Sequence, residues 1–231
     1  MNKIWTVLFA VVLLYSCSKG NENTMYVKGN IKGLKKGTLY LQKQLDSLII
    51  SVDSVQVNGT NEFILTDVVT DPEMYYLTLG KGNNKIAFFG DKDTVYVSSR
   101  LDNFVLKANI KGSENQDLLN QYYEVKGKFN NQNLDLIKAE FEARKSGNKD
   151  SLDLVSKKLK NLVKRKYLYT TNFAINNADH EVAPYIALTE LNNATLKLLD
   201  TINNSLSPKV KKSTYGKQLD KFIATIKENE K

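Results

Sequence analysis

FVLKANIKGSENQDLLNQYY, residues 104–123, changes its period near its middle. Phe104 to Ile110 reads as the last of a series of short β-strands. From Gln116 onward the apolar residues fall three and four apart, which is the spacing of one helix face. A boundary near Gly112 to Gln116 therefore divides the chain into a β half and a helical half, and the fold class is α+β.

Upstream of the boundary, eight segments rich in Val, Ile, Leu, Tyr and Phe read as strands: Met25–Ile31, Thr38–Gln42, Leu48–Val57, Glu62–Val68, Met74–Leu79, Lys85–Phe89, Thr94–Ser98 and Phe104–Ile110. Turn signals separate them, namely Gly33-Leu34-Lys35-Lys36-Gly37, Asn58-Gly59, Asp71-Pro72, Gly80-Lys81-Gly82-Asn83 and Gly90-Asp91-Lys92-Asp93. Eight strands at this spacing predict an antiparallel β-sandwich or a partly open barrel over residues 25–113.

Downstream, residues 114–231 read as a helical region. Gln116 to Lys145 carries Leu118, Leu119, Tyr122, Tyr123, Phe129, Leu134, Ile137 and Phe141, with a weak break expected near Gly127 and Asn130-Asn131. A second helix is expected to be capped by Asp150-Ser151, with an apolar stripe through Leu152, Val155, Leu159, Leu162, Val163, Tyr167 and Leu168. Three shorter helices are expected near Val182–Leu191, Thr195–Ile202 and Pro208–Ile226, with Pro184 and Pro208 near helix starts. Neither half contains an internal repeat.

The N-terminus reads as a targeting segment. Lys3 precedes an eleven-residue apolar run, Ile4 to Leu14, which is too short to cross a bilayer but suits a secretory signal. Leu14-Tyr15-Ser16-Cys17 resembles a lipobox, although Tyr15 stands where a small residue is the rule. Residues 1–16 are thus expected to be a lipoprotein signal peptide, Cys17 the lipidated first residue, and residues 17–24 a polar tether. Each buried acyl methylene contributes about 0.8 kcal/mol, so two or three chains suffice for stable anchoring. The expected location is the cell envelope, on the periplasmic or surface face of the outer membrane.

Five sequence segments carry a resemblance. Val27-Lys28-Gly29-Asn30-Ile31, Gly37-Thr38-Leu39-Tyr40-Leu41, Asp53-Ser54-Val55-Gln56-Val57-Asn58-Gly59, Pro72-Glu73-Met74-Tyr75-Tyr76-Leu77 and Ile110-Lys111-Gly112-Ser113 occur in that order. Together they resemble the domain of unknown function at the N-terminus of Bacteroidetes lipoproteins that carry a thioredoxin-like disulfide reductase domain. Ala183-Pro184-Tyr185-Ile186-Ala187-Leu188 and Val210-Lys211-Lys212-Ser213-Thr214-Tyr215-Gly216-Lys217 are similar to the segment that leads up to the reductase domain. The sequence ends at Lys231 without the Cys-x-x-Cys of such a domain, so reductase activity is not expected of it.

Catalytic constellations are weak. The one histidine, His180, lies in Asn177-Ala178-Asp179-His180-Glu181, which reads as the polar turn before a helix. Asp91-Lys92-Asp93 lacks the glycine and terminal glutamate of a calcium loop and reads as a hairpin tip. Gly29, Gly33 and Gly37 are followed by no Gly-Lys-Ser/Thr, so they make no phosphate loop. One histidine and one cysteine give no metal-ligand set. No enzyme, cofactor or metal site is expected.

Charge is the stronger signal. Ser18 to Leu118 has 12 basic and 12 acidic residues, whereas Leu119 to Lys231 has 20 basic and 13 acidic, a net of 0 against +7. Lys157-Lys158, Lys164-Arg165-Lys166, Lys209, Lys211 and Lys212 form either a solvated helix face or a surface for anionic lipid. An exported chain is not expected to bind nucleic acid. Asp-Ser/Thr-aliphatic recurs at Ser47, Ser54, Thr94, Ser151 and Thr201, where composition would give about one match. The pattern resembles a bacterial O-glycosylation acceptor, and turn and cap chemistry is the competing reading.

The function expected from these observations is binding or scaffolding by a lipid-anchored envelope protein, accessory to a thioredoxin-like partner. Binding of a glycan or another envelope polymer is the alternative, with Tyr or Phe supplying stacking platforms because the only tryptophan, Trp5, lies in the leader.

Overall fold

The computed structural model describes residues 23–45, 48–80 and 82–229. The expected signal peptide, Cys17 and Ser47 lie outside the described residues. Strands β1 (Thr24–Lys32), β2 (Lys36–Leu45), β3 (Leu48–Asn58), β4 (Glu62–Val68), β5 (Glu73–Leu79), β6 (Lys85–Gly90), β7 (Asp93–Arg100) and β8 (Asn109–Lys111) form two four-stranded sheets. Their orders are β4-β1-β7-β8 and β3-β2-β5-β6. The α+β class and the two-sheet β half are as the sequence predicts.

Alternation along the strands builds the sandwich core. Met25, Val27 and Ile31 of β1, Leu39 and Leu41 of β2, and Val95 and Val97 of β7 are buried between the sheets. One pairing departs from the antiparallel expectation: β1 runs parallel to β7, with Gly29 opposite Val97. That approach is tight. A Cβ on Gly29 would lie 1.7 Å from the Val97 carbonyl oxygen, so only glycine fits.

The eighth strand is also shorter than predicted. Leu101–Asn103 is a 3-10 turn, Lys107 N–H donates to the Asn103 carbonyl at 2.9 Å, and pairing resumes only at Asn109. Phe104 fills the end of the core while Leu106 is exposed, so the apolar run Phe104-Val105-Leu106 serves a plug and a turn.

The helical half consists of α1 (Glu114–Ser146), α2 (Lys149–Asn176), α3 (Val182–Glu190), α4 (Leu196–Ser205), α5 (Pro208–Lys212) and α6 (Thr214–Asn229). The α1 helix runs unbroken through Gly127 and Asn130-Asn131, about 50 Å at 1.5 Å per residue. Gly147 in the left-handed region ends it, and Asn148 caps α2 by accepting from Ser151 N–H at 3.0 Å. The cap is therefore Asn148, and Asp150 sits in the first turn. The helix predicted over Pro208–Ile226 is two, because Ser213 is extended and its hydroxyl accepts from Gly216 N–H at 3.3 Å, starting α6 afresh.

Two glycines separate close approach from free space. Gly29→Ala is expected to lower the unfolding free energy by about 3 kcal/mol or to prevent folding. Gly127, whose added Cβ would meet nothing within 4 Å, is expected to gain about 1 kcal/mol on change to alanine. Urea titration followed by far-UV circular dichroism measures both.

Candidate interaction surface

At Met74 of β5 and Phe89 of β6 the outer face of the sheet is buried as well as the inner one, because the helices dock there. Tyr75, Leu77, Ile86 and Phe88 point into the sandwich, whereas Met74 and Phe89 point outward against Leu119, Tyr122, Val182 and Ile186. The rings of Tyr185 and Tyr215 meet Phe89 edge-on, with centroids 5.3 and 6.0 Å away.

Polar side chains complete this seam. β6 is an edge strand, and its Phe89 N–H donates to Gln116 Oε1 at 2.8 Å. Met74 N–H donates to the Tyr215 hydroxyl at 3.0 Å, and Thr214 donates from both N–H and hydroxyl to Asp71 Oδ2 at 3.2 Å. Asn115 donates to Glu181 Oε2 at 3.0 Å and accepts from Val182 N–H at 2.8 Å. The buried Glu181 is neutralised by Lys209 at 3.3 Å.

From this root α1 and α2 rise as an antiparallel hairpin. Residues seven apart face inward: Tyr122, Phe129, Leu136 and Ala143 on α1, and Val155, Leu162 and Tyr169 on α2. The Tyr122 hydroxyl and Thr170 Oγ1 lie 2.9 Å apart, and Thr170 itself donates to the Lys166 carbonyl, which leaves the tyrosine as donor. The α3 helix fills the furrow between α1 and α2 at the base. Its last residue, Glu190, bridges Lys126 at 2.5 Å and Lys166 at 3.1 Å.

Beyond Glu190 the furrow is open. Leu134 is 63% exposed, Ile137 48% and Phe141 68%, three and four residues apart on one side of α1, and Val163 of α2 is 48% exposed on the same side. A hollow of about 190 Å³ between Phe129, Asn130, Asn133, Leu162, Val163 and Lys166 marks where the furrow begins. Isolated exposed apolar residues are ordinary, but a spaced row along a helix pair is a feature of interaction sites.

The residues singled out by sequence are dispersed. Ser54 is exposed on β3, Thr94 is half-buried on β7, Ser151 lies in the first turn of α2, and the exposed Thr201 donates its hydroxyl to the Lys197 carbonyl at 2.7 Å. The four described positions lie within strands and helices. His180 closes the turn between α2 and α3, with N–H donated to the Asn177 carbonyl at 3.0 Å and Nε2 3.8 Å from Glu114. The basic residues do not make one surface. Lys209 of α5 pairs with Glu181 just before α3 and Lys166 of α2 pairs with Glu190 at its end, while Lys157, Lys158, Lys164 and Arg165 are exposed on α2.

Sequence reading found Leu134, Ile137 and Phe141 among the apolar residues of the helix over Gln116–Lys145 without separating them from Tyr122 and Phe129. The signal that separates them is their offset from the buried seven-residue series: Ile137 falls one residue after Leu136, and Leu134 and Phe141 fall two before Leu136 and Ala143.

Titratable groups near the seam serve the packing. Burial pushes the hydroxyls of Tyr122, Tyr185 and Tyr215 well above the usual phenol range, so they stay protonated hydrogen-bonding groups. Burial, with Glu181 as a further contributor, raises the Asp91 carboxyl, against the opposing Lys92 N–H and the charges of Lys209 and Lys92.

Residues 25–119 match the model of a family described as a domain of unknown function, DUF4369. The match takes in the β half and reaches Gln116 and Leu119 at the root of α1. No curated protein matches the chain.

The Asp91 shift has a defined sign. Because the folded-state pKa is raised, ionising Asp91 opposes folding, so this contribution falls as pH rises from the unfolded aspartate value, about 3.9, through the folded one. Asp91→Asn is expected to stabilise the protein at pH 7, and the gain should vanish below pH 3.9. Denaturant midpoints across pH 3 to 8 measure it.

Proposed function

We propose that this protein is a non-enzymatic, lipid-anchored module of the cell envelope that binds or scaffolds a protein partner, accessory to a thioredoxin-like protein. The observation that carries the binding role is the distal half of the α1–α2 hairpin, which holds Leu134, Ile137 and Phe141 in water. Exposing such a row costs solubility, and covering it with a partner recovers the hydrophobic contribution.

Anchoring is supported by the order Lys3, apolar run, Cys17 and by the short polar tether before β1. The resemblance of residues 27–113 and 183–217 to thioredoxin-associated lipoproteins supports the choice of partner. The non-catalytic reading is supported by how the seam's polar groups are engaged. Glu181 is held by Asn115 and Lys209, while Asp67 and Glu73 are held by Lys43 and by the Tyr75 hydroxyl.

One observation favours the glycan alternative. A cleft of about 230 Å³ between β5, α3 and α6 is lined by Tyr76, Tyr185 and Tyr215 together with Glu73, Thr189 and Gln218. Aromatic faces beside hydrogen-bonding side chains are the usual elements of a small-ligand pocket.

In-cell cross-linking with an amine-reactive reagent, followed by purification and mass spectrometry, is expected to recover one stoichiometric protein partner, with recovery lost or reduced in Cys17→Ser. Recovery of no specific protein would remove the scaffolding reading and favour the cleft.

A further inference from the structure

We propose that the open distal furrow of the α1–α2 hairpin docks an amphipathic helix of a partner protein whose apolar stripe is flanked by carboxylates. The inference rests on the binding role proposed above and specifies its partner. Three observations converge on it.

The chain already shows what the furrow accepts. At its base the occupant is a helix, α3, which packs Val182 and Ile186 against Leu119 and Tyr122 of α1, with Tyr169 and Phe173 of α2 alongside. That helix ends on a carboxylate, Glu190, placed between one lysine of each wall, Lys126 and Lys166. A second helix continuing the same line would repeat both interactions.

Spacing extends the seat. Asn130, Asn133 and Ile137 recur at intervals of three and four along the α1 wall, which is the pattern that presents holes to the side chains of a packed helix, and the exposed Leu134 and Phe141 lie on the outer shoulder of that wall. Val163 and the half-buried Leu159 and Leu152 line the opposite wall at intervals of four and seven. The hollow beside Lys166 is the first such hole beyond Glu190.

Charge selects the occupant. Lys138 and Lys145 flank the row on α1, and Lys157, Lys160 and Lys164 flank it on α2, all exposed and none in an ion pair among the described residues. Over residues 134–145 and 152–164 together, seven cations stand against four anions, Asp135, Glu140, Glu142 and Asp153, and Glu140 is already paired with Arg144. A second copy of the hairpin would set lysines against lysines, which disfavours self-pairing. Carboxylates at the flanking positions of a partner helix would repeat the Glu190 arrangement instead.

The test places the photo-cross-linker p-benzoylphenylalanine at Ile137 of the full-length chain in its native cell, with Leu106, exposed on the β half, as the comparison position. Light-dependent adducts are expected at Ile137 and not at Leu106. They should map to a partner segment with apolar residues three and four apart and Asp or Glu beside them. Lys138→Glu with Lys164→Glu is expected to cut the Ile137 adduct about fivefold, as loss of two exposed charge pairs predicts, with unchanged helicity by circular dichroism.

Adducts to a second copy, to lipid, or to a segment without flanking carboxylates would overturn the proposal, as would an adduct yield unmoved by the charge reversals. Absence of an Ile137 adduct in cells where amine cross-linking still recovers a partner would overturn the furrow while leaving the binding role in place. Absence of a partner by both methods would overturn both.

Discussion

The hydrogen bond from Phe89 N–H to Gln116 Oε1 is the constraint on which the rest of the architecture depends. An edge strand presents a row of unsatisfied backbone groups, and β6 is such an edge. Gln116 lies in the first turn of α1, so satisfying that strand also fixes where the long helix starts and which way it leaves the sheet. Phe89 supplies the apolar half of the same joint through Tyr122, Leu119 and Ile186. Loss of either half would weaken the joint between α1 and the sheet.

The same economy governs the other polar groups. Lys43 on β2, Asp67 on β4 and Glu73 and Tyr75 on β5 tie one sheet to the other, with Lys43 Nζ 2.7 Å from Asp67 and 3.2 Å from Glu73. The Tyr75 hydroxyl donates to Asp67 at 2.8 Å, and burial holds that hydroxyl protonated. Asp53 on β3 accepts from Thr66 N–H on β4 at 2.8 Å, joining the two sheets at another corner. Carboxylates committed in this way contribute rigidity. A rigid β half and a firmly rooted hairpin are the properties of a platform.

On that platform the hairpin is divided by α3. Below Glu190, three helices share a core and the tyrosines and phenylalanines of α1 and α2 are covered. Above it, two helices cover only one stripe each, since a helix pair buries one face and leaves the rest to water. The result is an uncovered apolar row on α1, left where α3 ends. The nine residues of α3 end on Lys126, the thirteenth of the 33 residues of α1.

Legibility followed the range of the forces involved. Strand and helix identities were readable because period-2 and period-3.6 patterns are local, and so the eight strands, the two long helices and the switch near Ser113 all appear in the sequence. Local competition produced the misses. Phe104-Val105-Leu106 has strand composition but plugs the core, Asn148 captures the cap two residues before Asp150, and Ser213 divides a helix whose periodicity is continuous. The parallel β1–β7 pairing had no local signal at all, because it depends on the backbone approach at Gly29 and on strands more than sixty residues apart. The furrow was invisible for the same reason. By itself, the sequence determined the α+β class, the division of charge and the row of apolar residues on α1. Only the tertiary structure decided which of those residues are covered, since burial depends on where α3 ends and on what lies across the furrow, and neither is encoded in the spacing of one helix.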